Sequence, residues 1–278
     1  MAEPTELNGL PATPSLEEFA ALCEAHGGTD LPYLQAHYPR YVRTQARLFL
    51  HHVPARGQRV LDIGAHWLHQ SLLYAIQGFD VTALDLPATL DRADVQALAR
   101  NHAIRLLQNR DLEHPEALAS IADDTFDLVL FTEVIEHLAF NPVAMWREIH
   151  RVMRPGARIV LTTPNYYALR TTLRRLARTL CRDGSGITTR DILGLKSLGH
   201  HWKEYSMREL REYFCLLSPD FRCINMAYTE DFQTSHLARR GGKLVDWLER
   251  VLPPLRPDIY LEVELASKRH GITVEPHW

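Results

Sequence analysis

The stretch GQRVLDIGAHWLHQSLLYAIQGFDVTALD, residues 57–85, alternates two short apolar runs with one helical segment. Val60, Leu61 and Ile63 form the first run, and Gly64 breaks it. Leu68 to Ile76 has helical character, Gly78 stops the helix, and Val81-Thr82-Ala83-Leu84-Asp85 reads as a second strand. Strand, tight turn, helix, turn and strand in this order form the opening unit of an α/β sheet. Asp85 lies 21 positions beyond Gly64, where a carboxylate can accept hydrogen bonds from ribose hydroxyls. The turn departs from the usual glycine-rich pattern. His66 and Leu68 stand at the two positions where glycine lets the backbone take positive φ and approach a ligand, so a different path or looser binding is expected there.

The alternation continues outward from this unit. Leu90 to Arg100 reads as a helix, Ile104 to Leu107 as a third strand, Thr125 to Phe131 as a fourth and Arg158 to Thr163 as a fifth, after the Pro155-Gly156 turn. A helix is expected from Glu133 and another over Pro142 to Met153. Ser206 to Leu217 reads as helix, Arg222 to Thr229 as strand, Gly242 to Val251 as helix and Ile259 to Ala266 as the last strand. Strands and helices at this spacing predict an α/β fold with a doubly wound, mainly parallel, seven-stranded sheet.

Residues 1–57 precede the first strand and predict a helical cap; residues 58–278 hold the sheet domain, with a lid insertion at about 166–205. Met1 to Pro14 is proline-rich and polar, with fraying expected. Ser15-Leu16-Glu17-Glu18 is a capping-box pattern opening a short helix that ends near Gly27-Gly28. A second helix is expected from about Tyr33 to His52, interrupted near Pro39, with Leu34, Tyr38, Val42, Ala46 and Phe49 on one side. These helices cover a pocket or simply pack on the sheet.

Composition excludes several classes. With 46% hydrophobic and 23% charged residues, 278 residues can bury a substantial core. A net charge near −3 gives no general attraction to nucleic acid. Cys23, Cys181, Cys215 and Cys223 lack paired metal spacing, so reduced thiols in a cytoplasmic setting are expected. No apolar run approaches a membrane span, and no signal-peptide core is visible.

The segments FDLVLFTEVIEHL and MWREIHRVMRPGARIVLTTPN resemble the core of class I S-adenosylmethionine-dependent methyltransferases, in the branch with the ubiquinone-biosynthesis O-methyltransferases. The likeness is good over roughly residues 58–165 and looser beyond. It implies a Rossmann-like methyltransferase fold with an antiparallel closing strand and S-adenosylmethionine as cofactor. Asp62 and Gly64 would then sit at the methionine end, Asp85 at the ribose, Asp111 and Leu112 at the adenine, and Phe131 and Thr132 at the floor near the sulfonium, with His66 and Leu86 as further cofactor contacts.

Thr132-Glu133-Val134-Ile135-Glu136-His137 is the second informative run. Glu133, Glu136 and His137 are spaced i, i+3 and i+4, one face of a helix, at the C-terminal end of the fourth strand, where ligands bind in open α/β sheets. Two carboxylates and an imidazole suit a divalent cation such as Mg²⁺ or Zn²⁺. The run resembles the E-x-x-E-H segment of two metal-assisted groups, the ubiquinone-pathway enzymes and the small-RNA 3′-terminal 2′-O-methyltransferases. On that pattern His201 supplies the later ligand, with His200 as fallback. Three readings of the run stay open: a metal site of Glu133, Glu136, His137 and His201; His137 as a general base without metal; or first-turn acids with no chemical role.

After Asn165, Leu169, Leu173, Leu176 and Leu180 form a stripe, with Arg170, Arg174, Arg175, Arg178 and Arg182 crowded elsewhere on the same helix. Residues 169–182 either touch anionic lipid or phosphate, or pack their leucines on the domain with the arginines in water. Asp183-Gly184-Ser185-Gly186 is a candidate hinge, and Arg239-Arg240-Gly241-Gly242 a basic turn without an assigned role. The leading expectation is a methyltransferase acting on a hydroxyl of a small or carrier-linked acceptor, with His137 and His201 catalytic. The rivals are 2′-O-methylation of an RNA 3′ end, for which a basic groove is scarce, and a non-catalytic binding protein of the same fold.

Overall fold

Ser15 and Glu18 form the expected capping box: the Glu18 amide donates to Ser15 Oγ at 3.2 Å and the Ser15 amide to Glu18 Oε2 at 2.7 Å. The helix they open is α1 (Leu16–Glu24), followed by α2 (Leu31–His51). In this computed structural model, which describes residues 10–26, 30–52, 55–181, 187–194, 199–230 and 242–277, α2 runs unbroken through Pro39. The expected interruption is therefore corrected. Proline removes one N–H and crowds one carbonyl, and burial of Leu34, Tyr38, Tyr41, Leu48 and Phe49 holds the helix together. Residues 1–9, the Gly27-Gly28 stop, the 183–186 hinge and positions 239–241 of the basic turn lie outside the described residues.

The sheet elements follow in order: β1 (Arg59–Ile63), α3 (His69–Ala75), β2 (Asp80–Asp85), α4 (Pro87–Leu90), α5 (Ala93–Asn101), β3 (Arg105–Gln108), α6 (Glu116–Ala119) and β4 (Phe126–Thr132). Then come α7 (Val143–Val152), β5 (Met153–Pro164), α8 (Leu169–Leu180), α9 (Thr189–Gly194), α10 (Met207–Leu217), β6 (Phe221–Thr229), α11 (Gly242–Val251) and β7 (Asp258–Leu265). The seven strands lie in the order β3-β2-β1-β4-β5-β7-β6. β1 to β5 pair in parallel, and β7 runs antiparallel to both β5 and β6. The mainly parallel, doubly wound sheet is as the sequence predicts. The helix expected over Leu90 to Arg100 is instead two, α4 and α5.

Each face of the sheet has its own core. On one, Phe19, Leu34 and Leu48 of the N-terminal helices pack with Val60, Leu72, Val81 and Leu98. On the other, Trp146 and Ile149 of α7 and Phe214 of α10 pack with Leu61, Val129, Ile159 and Leu261. The N-terminal helices thus share a core with the sheet.

The α8 helix reverses the packing expected of it. Leu173, Leu176 and Leu180 are 48%, 56% and 77% exposed. Its arginines are what attach it: Arg170 bonds Asp246 and Glu249 of α11 at 2.5 and 3.0 Å, and Arg175 pairs with Glu204. The reading with buried leucines and solvated arginines is overturned.

Asp220, fully buried between α10 and β6, ties down the segment after β7. It accepts from Ser267 Oγ at 2.5 Å and from the amides of Arg269, His270 and Gly271 at 3.2, 3.0 and 2.9 Å. His150 Nε2 approaches at 3.2 Å. Burial opposes its charge, but the bonds from Ser267, His270 and Gly271 hold its carboxyl well below the usual range. A depressed carboxyl stabilises the fold above the ordinary carboxylate pKa and loses that contribution as pH falls towards its folded value. Asp220→Ala should lower stability by about 2–3 kcal/mol at neutral pH, read as a reduced urea midpoint at unchanged slope. The gap between variant and parent should narrow in strong acid.

Candidate active site

The turn after β1 keeps the left-handed backbone that glycines would adopt. Gly64 has φ +75°, and His66 and Leu68 have φ 47° and 62°. The expectation that non-glycine residues would force a different path is not met. A left-handed residue with a side chain costs about 1–2 kcal/mol, and two contacts offset that cost. The Asp85 carboxylate accepts the His66 amide at 2.7 Å, and the Leu68 side chain is fully buried in the core. Asp85 also accepts the Leu86 amide at 2.6 Å. A Cβ on Gly64 would lie 2.6 Å from Val134 Cγ2, so the first position of the turn tolerates only glycine. The His66 imidazole packs beside Tyr33 and Trp67, with centroids at 4.8 and 4.6 Å, and Arg92 lies over the Trp67 ring.

The other expected cofactor residues line the carboxyl ends of the strands in different ways. Asp62 is buried, accepts Ser71 Oγ at 2.6 Å, and has its carboxyl pushed up to about 7, first by burial. Thr132 Oγ1 donates to Gln70 Oε1 at 2.9 Å. The Phe131 ring faces the core against Trp146, so its contribution to a ligand would come through the backbone. Asp111 follows β3 and accepts the His114 amide at 2.8 Å, while Leu112 is half-buried against the second core.

The run from Glu133 to His137 is not the α-helix its spacing predicts. Glu133 takes φ 56°, its amide extends the ladder by donating to the Thr162 carbonyl at 2.8 Å, and only a 3₁₀ turn forms over Ile135–His137. Glu133 and Glu136 consequently part. The Glu133 carboxylate accepts Thr162 Oγ1 at 2.8 Å and faces the Arg40 guanidinium of α2 at 3.5 Å. Burial opposes the charge of Arg40, yet Glu133, with Tyr41, Tyr33 and Asp258, outweighs it and raises its pKa.

Glu136 is fully buried. Its Oε2 accepts Thr163 Oγ1 at 3.0 Å, and Oε1 has no hydrogen-bond partner among the described residues. Burial, and then the neighbouring Glu133 carboxylate, pushes its carboxyl well above the usual range. Glu136, His137 and His201 each bring one ligand atom within 4.8 Å of the others. His137 Nδ1 lies 3.0 Å from the His200 carbonyl. A carbonyl only accepts, so Nδ1 carries the proton and Nε2 keeps its lone pair. Burial and then His201 lower the His137 pKa, leaving the ring neutral at pH 7. Its ring meets His201 edge-on at 4.8 Å.

The loop carrying His200 and His201 is clamped to this turn, because the Trp202 amide donates to the Glu136 carbonyl at 2.7 Å. Its far end is fixed where the Tyr166 amide donates to the Tyr205 carbonyl at 3.0 Å. Arg40, Gln70, Thr162 and Thr163 were not legible as site residues. Arg40 falls off the apolar stripe expected of α2, and the threonines belong to a strand whose alternation marks only burial. The pairing of β4 with β5, which sets Thr132 beside Thr162, needed the sheet order.

A family model described as a methyltransferase domain matches residues 34–220, and the chain belongs to that family. Its fold is that of the S-adenosylmethionine-dependent methyltransferases. It is 33% identical over 156 residues to the ubiquinone biosynthesis O-methyltransferase of Xanthomonas oryzae pv. oryzae, and 32% identical to that of Xanthomonas campestris pv. campestris. Each match covers 54% of this chain and 60% of the relative's length. Among solved structures, the Haloferax volcanii complex of the Trm112 activator with a methyltransferase superposes with TM-score 0.55 at 16% identity, covering 90% of this chain and 98% of the other. A SAM-dependent methyltransferase from Archaeoglobus fulgidus gives TM-score 0.50 at 18% identity, covering 84% and 100%.

Two expectations follow. Gly64→Ala should lose about 2 kcal/mol or more, from left-handed strain plus the Val134 clash, and lower the melting temperature, whereas Gly156→Ala, open to solvent, should lose less. The His137 ring should titrate by NMR below the ordinary histidine value, so any activity needing its lone pair falls as pH drops through that value and not above it. A midpoint above 7 would contradict the geometry.

Proposed function

We propose that this protein transfers the methyl group of S-adenosylmethionine to a hydroxyl of a small or carrier-linked acceptor. The observation that carries this reading is the His137 imidazole, fixed by the His200 carbonyl with its Nε2 lone pair available beside His201 and Glu136. A neutral imidazole with a lowered pKa is suited to take the proton of an acceptor hydroxyl as the oxygen attacks. The His200 carbonyl, the His201 ring and the 3₁₀ turn orient that ring, and Arg40 of α2 faces Glu133 at the start of the same run. The names of the Xanthomonas relatives favour oxygen as the acceptor atom.

The fit of the cofactor rests on the Gly64 cradle and the Asp85 carboxylate. A carboxylate has about four acceptor sites, so after serving the His66 and Leu86 amides Asp85 retains capacity for ribose hydroxyls. S-adenosylmethionine supplies the electrophilic methyl group when bound. Glu136, His137 and His201 also fit a divalent cation: two imidazoles and one carboxylate, whose buried Oε1 has no partner among the described residues, form a mixed donor set that suits Zn²⁺ better than Mg²⁺. Such an ion would lower the pKa of the acceptor hydroxyl. Glu133, committed to Arg40 and Thr162, would stay outside that set.

Calorimetric titration with S-adenosylhomocysteine tests the reading. Binding near micromolar, about −8 kcal/mol, is expected, with none detectable in Asp85→Ala. A folded parent protein that does not bind overturns it. His137→Ala and His201→Ala should keep that binding and lose methyl transfer from labelled S-adenosylmethionine to a panel of small and sugar-linked hydroxyl acceptors; full transfer in either variant removes its role. Transfer that survives chelator leaves His137 acting without metal.

A further inference from the structure

Beside His201 lies a cavity of about 430 Å³, within the range that houses small-molecule ligands. Such sites are usually lined by hydrophobic side chains with a few polar groups. Here Ile187 is the single aliphatic residue among the described lining residues, and the rest of the wall is polar or aromatic. Its charges are largely answered within the protein. Arg175 pairs with Glu204, and Lys203 Nζ lies 2.5 Å from Glu209 Oε1. The hydroxyl and amide of Thr188 hold the Asp191 carboxyl below the usual range, and the nearby Arg178 adds to that. Tyr166 and Trp202 line the cavity as large rings that are 41% and 42% exposed.

We propose that this cavity takes a neutral pyranose ring, so that the acceptor is a sugar hydroxyl presented to His137. This deepens the methyl-transfer reading and rests on it. An apolar acceptor would strip water from the ions of the wall and give them nothing in return. An ionic acceptor would meet charges that already have partners. A polyol suits the wall on both counts, because a hydroxyl can donate to a carboxylate such as Asp191 and accept from a guanidinium such as Arg174. The C–H face of a pyranose is flat and apolar, and an exposed aromatic ring offers it a rigid surface. Arg175 lies over the Tyr166 ring at 4.2 Å and donates to the Tyr166 carbonyl at 2.6 Å, which leaves Trp202 as the better platform. The Trp202 backbone is fixed beforehand by the bond from its amide to the Glu136 carbonyl at 2.7 Å. His201 lines this cavity and also belongs to the cluster with Glu136 and His137, so a ring seated here can reach the imidazole with one hydroxyl. In the transfer that hydroxyl oxygen bonds to the methyl carbon, the electron pair of the broken methyl–sulfur bond stays on sulfur, and the hydroxyl proton passes to His137 Nε2.

The test is saturation-transfer NMR of the full chain with the methyl α-glycosides of glucose, galactose, mannose and rhamnose. Cyclohexanol, a six-membered ring with a single hydroxyl, is the comparison. Four proteins are used: the parent, Trp202→Leu, which keeps apolar bulk and removes the flat ring, Asp191→Ala, and Trp247→Ala, which removes an exposed indole outside the cavity lining. Support is saturable binding of at least one glycoside to the parent, tighter than that of cyclohexanol, weakened about fivefold or more in Trp202→Leu or Asp191→Ala and less than about twofold in Trp247→Ala. No saturable glycoside binding up to about 50 mM, cyclohexanol bound as tightly as any glycoside, or neither cavity variant weaker than Trp247→Ala overturns the proposal. S-adenosylhomocysteine binding, measured alongside, is expected to be equal in all four proteins. A bound glycoside that gains no label from methyl-labelled S-adenosylmethionine, in a protein that binds S-adenosylhomocysteine, also overturns it. Absence of S-adenosylhomocysteine binding from the parent would instead defeat the methyl-transfer reading and leave the glycoside result to judge the cavity as a sugar site.

Discussion

The Asp85 carboxylate joins two pieces of chain that would otherwise be independent. One oxygen holds the His66 amide in the turn after β1, and the other holds the Leu86 amide where β2 ends. That double grip, with the Leu68 amide donating to the Ala65 carbonyl at 2.8 Å, helps keep His66 at φ 47°, although a residue with a side chain prefers negative φ. The turn sets where α3 begins, and α3 carries Ser71 to Asp62 and Gln70 to Thr132. One acid thus ties the carboxyl ends of β1 and β2 together and, with the buried Leu68 side chain, supports the glycine-like course of a turn poor in glycine.

A second constraint governs the chemistry. Glu133 and Glu136 start within three residues of each other, and both cannot be buried beside one another as unpartnered anions. The left-handed conformation at Glu133 separates their surroundings: Arg40 and Thr162 attend the first, while Glu136 turns inward with its carboxyl held towards the neutral form. His137 is released from the helical face that it would have shared with both and meets His201 instead.

The strands and their succession along the chain were largely legible, though not their order in the sheet, because a sheet covered on both faces writes itself as runs such as Val60-Leu61 and Leu128-Val129-Leu130 separated by glycine and helical segments. Three elements were not. The spacing of Glu133, Glu136 and His137 fits a helix, but the ladder bond from the Glu133 amide to Thr162 competes for the first turn, and a partner strand is invisible in a local pattern. Pro39 signals a break, and only the packing of its neighbours shows why none occurs. The α8 stripe fixes which residues share a face but not which face is inside; that depended on Asp246, Glu249 and Glu204, all at least 24 positions away in sequence. Among site residues, Asp62, Gly64, Asp85 and the two histidines lay within recognisable patterns, whereas Arg40 had none.

The order β5-β7-β6 has a consequence for how the chain reaches this state. β6 precedes β7 in sequence, yet its only pairing among the described strands is with β7, which also completes the edge of β5. During synthesis β6 therefore emerges before the strand it needs, and β5 presents an open edge until residues 258–265 arrive. Pairing of this kind is slow because it awaits a distant segment, and exposed strand edges invite association with other chains. Nascent chains stalled between residues 230 and 258 would be the species most in need of a chaperone.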